Sequence, residues 1–372
     1  MDKKRLTLIT LAHIVTDSYG GFIPILLPLL TREYGIQLAA SFPALIGIFG
    51  NFPQPFIGHY YDRTKKYFLW IAPLGAALFV GTFIYFDSYA LKVLFLILGG
   101  FSIGAFHPEA TQIARASGGD RKEFAASIFL AGGTTGFAIG ALVCGALLHF
   151  FGKPGLFVWV FVGVATSLLL LVNEKIMTGI PEKKTAAVEL KSLNKVPEFF
   201  SILVLVTLVV SFQSLVNTFL PSFLSQRGFG EMAKGFYTFF FVVPGSLAGI
   251  IAGKFAKERG LKTLVVTSQI LSIGSMLCFI YLPAPWYLVF IPLTGAFSLS
   301  SFPALVSHSF KHLPGKAGVA GGAVIGLTWG VAGILAQFAG FLAGLAGGIQ
   351  GMYLWLLILP AGAALLTLLL KF

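Results

Sequence analysis

The sequence predicts an all-α membrane protein with twelve transmembrane helices in two pseudo-symmetric halves of six. Three observations predict it. Charge is scarce: 11% of the 372 residues are charged and 56% are hydrophobic, where an ordinary soluble domain carries about 25% charged residues. The apolar runs are long, and a hydrocarbon core of about 30 Å needs about 20 apolar residues per helix. The two halves of the chain also repeat one another. A soluble nucleic-acid binder is excluded despite the net charge of +12, because so few polar side chains cannot cover a water-facing surface. Cys144 and Cys278 lie in apolar stretches far apart, which excludes a disulfide framework and a CxxC metal site.

The runs, called spans 1 to 12 below, are 6–30, 41–61, 67–86, 90–114, 123–151, 155–173, 198–224, 233–256, 262–282, 286–310, 317–346 and 350–370. Dividing 372 residues by twelve leaves 31 for each helix with its loop, so no soluble domain fits between them. Span 1 follows Lys3, Lys4 and Arg5 as a signal peptide would. It runs on to Leu30, however, carries His13 and Asp17, and lacks a small-residue cleavage site, so it reads as a retained helix. The longest polar stretch divides the chain into an N-terminal bundle (1–173), a cytoplasmic linker (174–197) and a C-terminal bundle (198–372). Lys and Arg accumulate in cytoplasmic loops. Placing both termini in the cytoplasm puts 21 of the 26 there and leaves Arg32, Lys92, Lys153, Arg227 and Lys234 outside. The basic loops then face anionic lipid headgroups.

The repeat is clearest where Gly99-Gly-Phe-Ser-Ile-Gly-Ala-Phe106 of span 4 meets Gly295-Ala-Phe-Ser-Leu-Ser-Ser-Phe302 of span 10. In spans 5 and 11, Ala126, Gly132, Thr134, Gly136 and Ala138 match Ala320, Gly326, Thr328, Gly330 and Ala332. Six helices per half give both halves one topology, as in parallel-repeat transporters. The glycines of spans 5 and 11 read as close helix packing. No GxxxxGK[ST] sequence occurs, so nothing supports direct ATP coupling.

Of the fourteen carboxylates, only Asp17 and Glu109 fall at membrane depth. A charge there costs about 2.5 to 3.5 kcal/mol on insertion scales, so each must face a cavity or a partner. At 1.5 Å rise per residue, His13 lies about 10 Å in, Asp17 about 16 Å, Glu109 about 9 Å and His107 about 12 Å. His13 and Asp17, four apart, share a helix face and can pair. His107 and Glu109, two apart, point in different directions, and Pro108 between them kinks the helix and frees the carbonyl of Gly104. A carboxyl group at this depth can load and release protons as a cavity changes sides, and the histidines can relay protons or hold an anionic substrate. The same residues fit polar clasps between helices. Gln213 and Asn217, four apart in span 7, fit either the outer half of a cavity or a polar helix contact. His59, His149, His308 and His312 sit near helix ends and read as interfacial.

Between spans 2 and 3 stands Gly58-His-Tyr-Tyr-Asp62-Arg63-Thr-Lys65-Lys66, echoed after span 8 by Gly253-Lys-Phe-Ala-Lys257-Glu258-Arg259-Gly260 with Lys257 in place of an acid. In this motif the sequence resembles the major facilitator superfamily. It is most similar there to the fosmidomycin resistance family, through His13-Ile-Val-Thr-Asp17 and Gly104-Ala-Phe106-His107-Pro108-Glu109-Ala with Arg115. The glycine motif common in antiporters is only partly present, as Gly132, Gly133, Gly136, Gly140 and Gly145 without the usual proline. The resemblance implies a central cavity lined by spans 1, 4, 7 and 10, and alternating access. It also implies proton-driven export of a small polar drug such as fosmidomycin across a prokaryotic inner membrane. On that reading Asp17 and Glu109 carry protons, and His13, His107, Gln213 and Asn217 bind substrate. Gly58, Asp62, Arg63 and Arg115 gate. No cofactor or metal is implied, and a monomer is expected. The residues leave open an importer or exporter of an endogenous sugar, metabolite or lipid. A more remote reading is an intramembrane enzyme using His13 and Asp17 as a base and its orienting acid.

Overall fold

The structure, a computed structural model, describes residues 1–64, 68–178, 196–309 and 317–370. Lys65, Lys66, His312, linker residues 179–195 and the side chain of Asp62 lie outside the described ones. Span 1 is α1 (Lys3–Ala39), broken at Gly35, whose φ of 76° is a conformation glycine takes at no steric cost. Asp2 caps it, its Oδ1 accepting from Arg5 N at 3.0 Å, while Asp2 N donates to Ser117 O at 2.7 Å. Span 2 is α2 (Ser41–Asn51) and α3 (Gln54–Thr64), interrupted at Pro53, which has no backbone N–H to carry the helix ladder on. Span 3 is α4 (Ile71–Gly75) continued by a π turn (Ala76–Val80) and a 3₁₀ turn (Phe83–Tyr85). Spans 4 to 6 are α5 (Tyr89–Ser117), α6 (Lys122–Phe151) and α7 (Phe157–Val172), after which the short α8 (Glu174–Thr178) enters the linker.

The second half follows the same plan. Spans 7 to 9 are α9 (Val196–Gln226), α10 (Glu231–Arg259) and α11 (Leu261–Tyr281). Span 10 is α12 (Tyr287–Leu299) with α13 (Phe302–Ser309), span 11 is α14 (Ala317–Leu345), and span 12 is α15 (Ile349–Leu356) with α16 (Ile358–Leu369). Among the described residues, ten spans are long and apolar enough to cross a membrane; the other two, spans 2 and 3, are assembled from shorter pieces. The expected twelve-helix architecture is therefore present, with uniform rods replaced by broken ones in spans 2, 3, 10 and 12. The repeat extends to packing. Gly58 of α3 would put a methyl group 3.3 Å from Pro108 of α5, and Gly249 of α10 would put one 2.8 Å from Pro303 of α13.

Two of the five outer basic residues are buried. Lys92 and Lys234 lie inside α5 and α10, with side chains only 2% exposed. Lys92 Nζ donates to Glu33 Oε1 at 2.7 Å and to Tyr34 Oη at 2.8 Å, and Lys234 Nζ donates to Glu231 Oε1 at 2.6 Å. Burial of a lysine is tolerated when its charge is paired and hydrogen-bonded.

Within the first half, α1 lies along α6 on a row of glycines. A side chain at Gly140 would strike the Ser18 carbonyl, and one at Gly136 would strike the Ile14 carbonyl. Such small-residue contacts let backbones approach where lipid supplies no hydrophobic drive. Gly140→Val is accordingly expected to destabilise the fold by about 1–3 kcal/mol, the usual cost of overpacking. The check is a lower unfolding midpoint in detergent.

The halves meet from the midplane to the face away from the termini. Methyl groups at Gly47 and Gly333 would each lie within 2.7 Å of the other's Cα. Farther out, Gln337 Nε2 donates to Gln37 O at 2.9 Å, and Gly145 and Gly235 bring α6 and α10 together beside Glu231. These contacts close the seam at the face away from the termini.

Candidate functional site

Asp17 sits one helical turn beyond His13 on α1, and α5 brings His107 to the same carboxylate. His13 Nε2 lies 3.1 Å from Asp17 Oδ2, and His107 Nε2 lies 3.5 Å from Asp17 Oδ1. Each imidazole is held from behind by a backbone carbonyl: His13 Nδ1 to Phe129 O at 2.8 Å and His107 Nδ1 to Ile103 O at 2.9 Å. His13 is also clamped by rings. It stacks on Phe129 with centroids 4.0 Å apart and meets His107 edge-on at 5.1 Å.

This geometry fixes most of the proton bookkeeping. A carbonyl oxygen only accepts, so both Nδ1 atoms carry hydrogens and both Nε2 atoms turn toward Asp17. Without a further proton, two Nε2 lone pairs would face a carboxylate. One proton, on either Nε2 or on the carboxyl group, turns repulsion into an ion pair or a hydrogen bond. The fit is incomplete: His13 Nε2 and Asp17 Oδ1 are buried without a well-formed hydrogen bond. The three donor atoms lie within 4.8 Å of one another, a spacing that suits one small cation, and a proton satisfies the count. Side-chain exposure is 3% for His13, 18% for Asp17 and 25% for His107, so solvent reaches the trio through Asp17 and His107.

Room for the trio comes from Gly133 of α6. A methyl group there would fall 2.5 Å from His13 Nε2 and 2.7 Å from Asp17 Oδ2. Gly133 belongs to the partial antiporter glycine motif, and its neighbour Gly132 packs against Thr10 of α1. The doubled glycine was the one signal in the sequence that α6 leaves extra space at this level.

Glu109 is not part of the trio. Its side chain turns to the connection after span 2, where Phe68 N donates to Glu109 Oε2 at 3.4 Å, and Oε1 is buried with no partner. Pro108 separates the two directions by packing toward Gly58. Glu109 thereby touches the connection that carries the Asp62-Arg63 motif. Of the other gating candidates, Arg63 is exposed and Arg115 half-buried.

Gln213 and Asn217 are buried in α9, 4% and 5% exposed, with Oε1 and Oδ1 unpartnered. They share α9 with the buried Phe212, Val216 and Phe219, away from solvent. His59 and His149 are exposed and His308 is half-buried, each near a helix end.

Comparison with known proteins agrees with this architecture. The family model described as Major Facilitator Superfamily matches residues 8–337. The fosmidomycin resistance protein of Escherichia coli (strain K12) is 24% identical over 351 residues, covering 90% of this chain and 85% of the relative. An uncharacterized MFS-type transporter of Bacillus subtilis (strain 168), YfnC, is 23% identical over 372 residues, covering 92% and 87%. Among solved structures, a bacterial homolog of the human lysosomal transporter Spinster, inward-facing and unoccupied, superposes with a TM-score of 0.78. Its identity is 13%, and the match covers 99% of this chain and 96% of that one.

Proposed function

The chain belongs to the Major Facilitator Superfamily and is a multi-pass secondary transporter rather than an enzyme, and on that premise we propose that it is a proton-coupled exporter of a small polar, anionic drug or metabolite. The observation that carries the proposal is the convergence of His13 and His107 on Asp17. Three proton-binding groups on two helices of one half form a site whose proton count and geometry depend on each other.

In this reading a proton entering from outside completes the trio and draws His107 onto Asp17. On the cytoplasmic side the proton leaves, and a hydrogen-bond donor group of the substrate takes its place against the bared Nε2 lone pairs and the carboxylate. Substrate and proton thus compete for the same acceptors, which is the requirement for antiport. Glu109 is the second proton carrier. Its protonation loosens the Phe68 contact and so links the first half's charge state to the Asp62-Arg63 connection. Gly58 and Arg115 complete that latch, and residues 174–197 tether the halves as they rock. Orientation, with both termini in the cytoplasm, is supported by the 21-to-5 split of basic residues. With that orientation the closed seam faces outward. Gln213 and Asn217 meet substrate only after α9 moves, since their amide oxygens are enclosed here.

Cargo is suggested by likeness to the E. coli fosmidomycin resistance protein. The test is a proteoliposome assay with an internal pH dye. Fosmidomycin, other phosphonates, nucleosides and sugars are added in turn against a pH gradient. The proposal expects phosphonate addition to dissipate the gradient in step with phosphonate movement. Flux of any of these compounds without proton movement sinks the coupling, and proton-coupled flux of sugars or nucleosides alone sinks the anionic cargo.

A further inference from the structure

The face away from the termini carries a feature that proton coupling does not use. A cavity of about 290 Å³ lies where the outer ends of α1, α9, α14 and α15 meet, and its lining draws on both halves. The first half contributes Thr31 and Arg32, and the second contributes Ser222, Ser225 and Gln226. The volume is at the lower end of small-molecule sites, which run from about 300 to 1,000 Å³.

Two features of the lining point to a ligand. Ser222 is 4% exposed and its Oγ has no hydrogen-bond partner, and Thr31 Oγ1 is likewise buried and unpartnered. A buried hydroxyl left unsatisfied costs about 1–3 kcal/mol, which a bound acceptor would recover. The lining also holds a single charge, and that charge is positive. Arg32 has no acidic partner among the described residues, because the adjacent Glu33 is taken by Lys92 at 2.7 Å. Arg227 nearby is committed to the Ile280 carbonyl at 3.0 Å and to the rings of Phe223 and Tyr287. A guanidinium, three hydroxyl donors and an amide around a small space match a tetrahedral oxyanion.

We propose that this cavity is a second binding site, distinct from the Asp17 trio, for a small phosphate- or phosphonate-type anion bridging Arg32 and Thr31 of one half to Ser222, Ser225 and Gln226 of the other. The two walls belong to helices that must part when the seam opens, so the site exists only while the seam is closed. An anion that binds only the closed seam holds it closed. In an exporter, product released outside would then slow the return of the outward-open state. The inference rests on the rocking-halves reading, but not on which residues carry the proton.

Spin labels at Leu38 and Leu345, exposed outer positions in opposite halves, report the seam as a distance distribution once Cys144 and Cys278 are replaced by Ala. One arm uses phosphatidylcholine nanodiscs with and without inorganic phosphate. A second uses phosphatidylglycerol nanodiscs without phosphate, so that a lipid headgroup is told apart from a free anion. At tenfold over its dissociation constant, a closed-state ligand raises the closed-to-open ratio roughly elevenfold. The proposal expects a rise of that order in at least one arm, abolished in Arg32→Gln and retained in Lys4→Gln, which removes an exposed charge at the opposite face. No rise in either arm overturns it, as does an equal rise in Arg32→Gln or an equal loss in Lys4→Gln. Proton-coupled flux in Arg32→Gln liposomes should persist. If the rise appears while such flux is absent in the parent protein, the coupling reading fails and the anion site stands.

Discussion

Asp17→Asn liposomes are expected to show no substrate-driven proton movement while still exchanging substrate down its own gradient. Asparagine keeps the size of the side chain and loses both the charge and the titratable oxygen that His13 and His107 face at 3.1 and 3.5 Å. The exchange that proton and substrate impose on one another is a coupling free energy, about 1–3 kcal/mol or roughly 5–150-fold in affinity. Substrate binding at neutral pH should therefore lose its pH dependence. The measurement is paired proton and substrate flux in one preparation, with Glu109→Gln beside it. Glu109 contacts Phe68 rather than the trio, so its variant should slow turnover without erasing the proton-to-substrate ratio. A preserved ratio in Asp17→Asn, at wild-type rates, would remove Asp17 from the coupling.

Gly133→Ala should cost transport more than it costs stability. The added methyl group arrives 2.5 Å from His13 Nε2, and His13 has little room to retreat with Phe129 stacked behind it at 4.0 Å. The pair must open or turn. Coupled transport is expected to fall at least about tenfold, the equivalent of about 1.4 kcal/mol, while the unfolding midpoint moves less than in Gly140→Val. Gly140 abuts a backbone carbonyl and Gly133 abuts reactive side chains, so one variant loses stability and the other loses function. Comparable transport in Gly133→Ala and the parent protein would show that the trio tolerates displacement.

The sequence made the architecture legible because membrane depth converts composition into length. Apolar runs near 20 residues have few alternatives to crossing helices, and the breaks at Pro53 and at Ser300–Ser301 do not change their count. The His13–Asp17 pair was legible because four residues make one turn, and the divergence of His107 from Glu109 because two residues do not. What joins α5 to α1 was not legible. The Phe129 and Ile103 carbonyls that orient the imidazoles are backbone atoms without a sequence signature, and Phe68 reaches Glu109 through its own N–H. The pairing of Lys92 was hidden for a related reason, because its partner Glu33 lies on another helix.

The meeting of Gly47 with Gly333 also bears on speed. Interlocked side chains would have to change rotamers before two helices could slide, and that exchange would stand as a barrier on every transport cycle. Here bare backbone faces bare backbone. If the halves rock as proposed, this point offers no side chains to disengage, leaving the bound charges to decide which way the bundle rests.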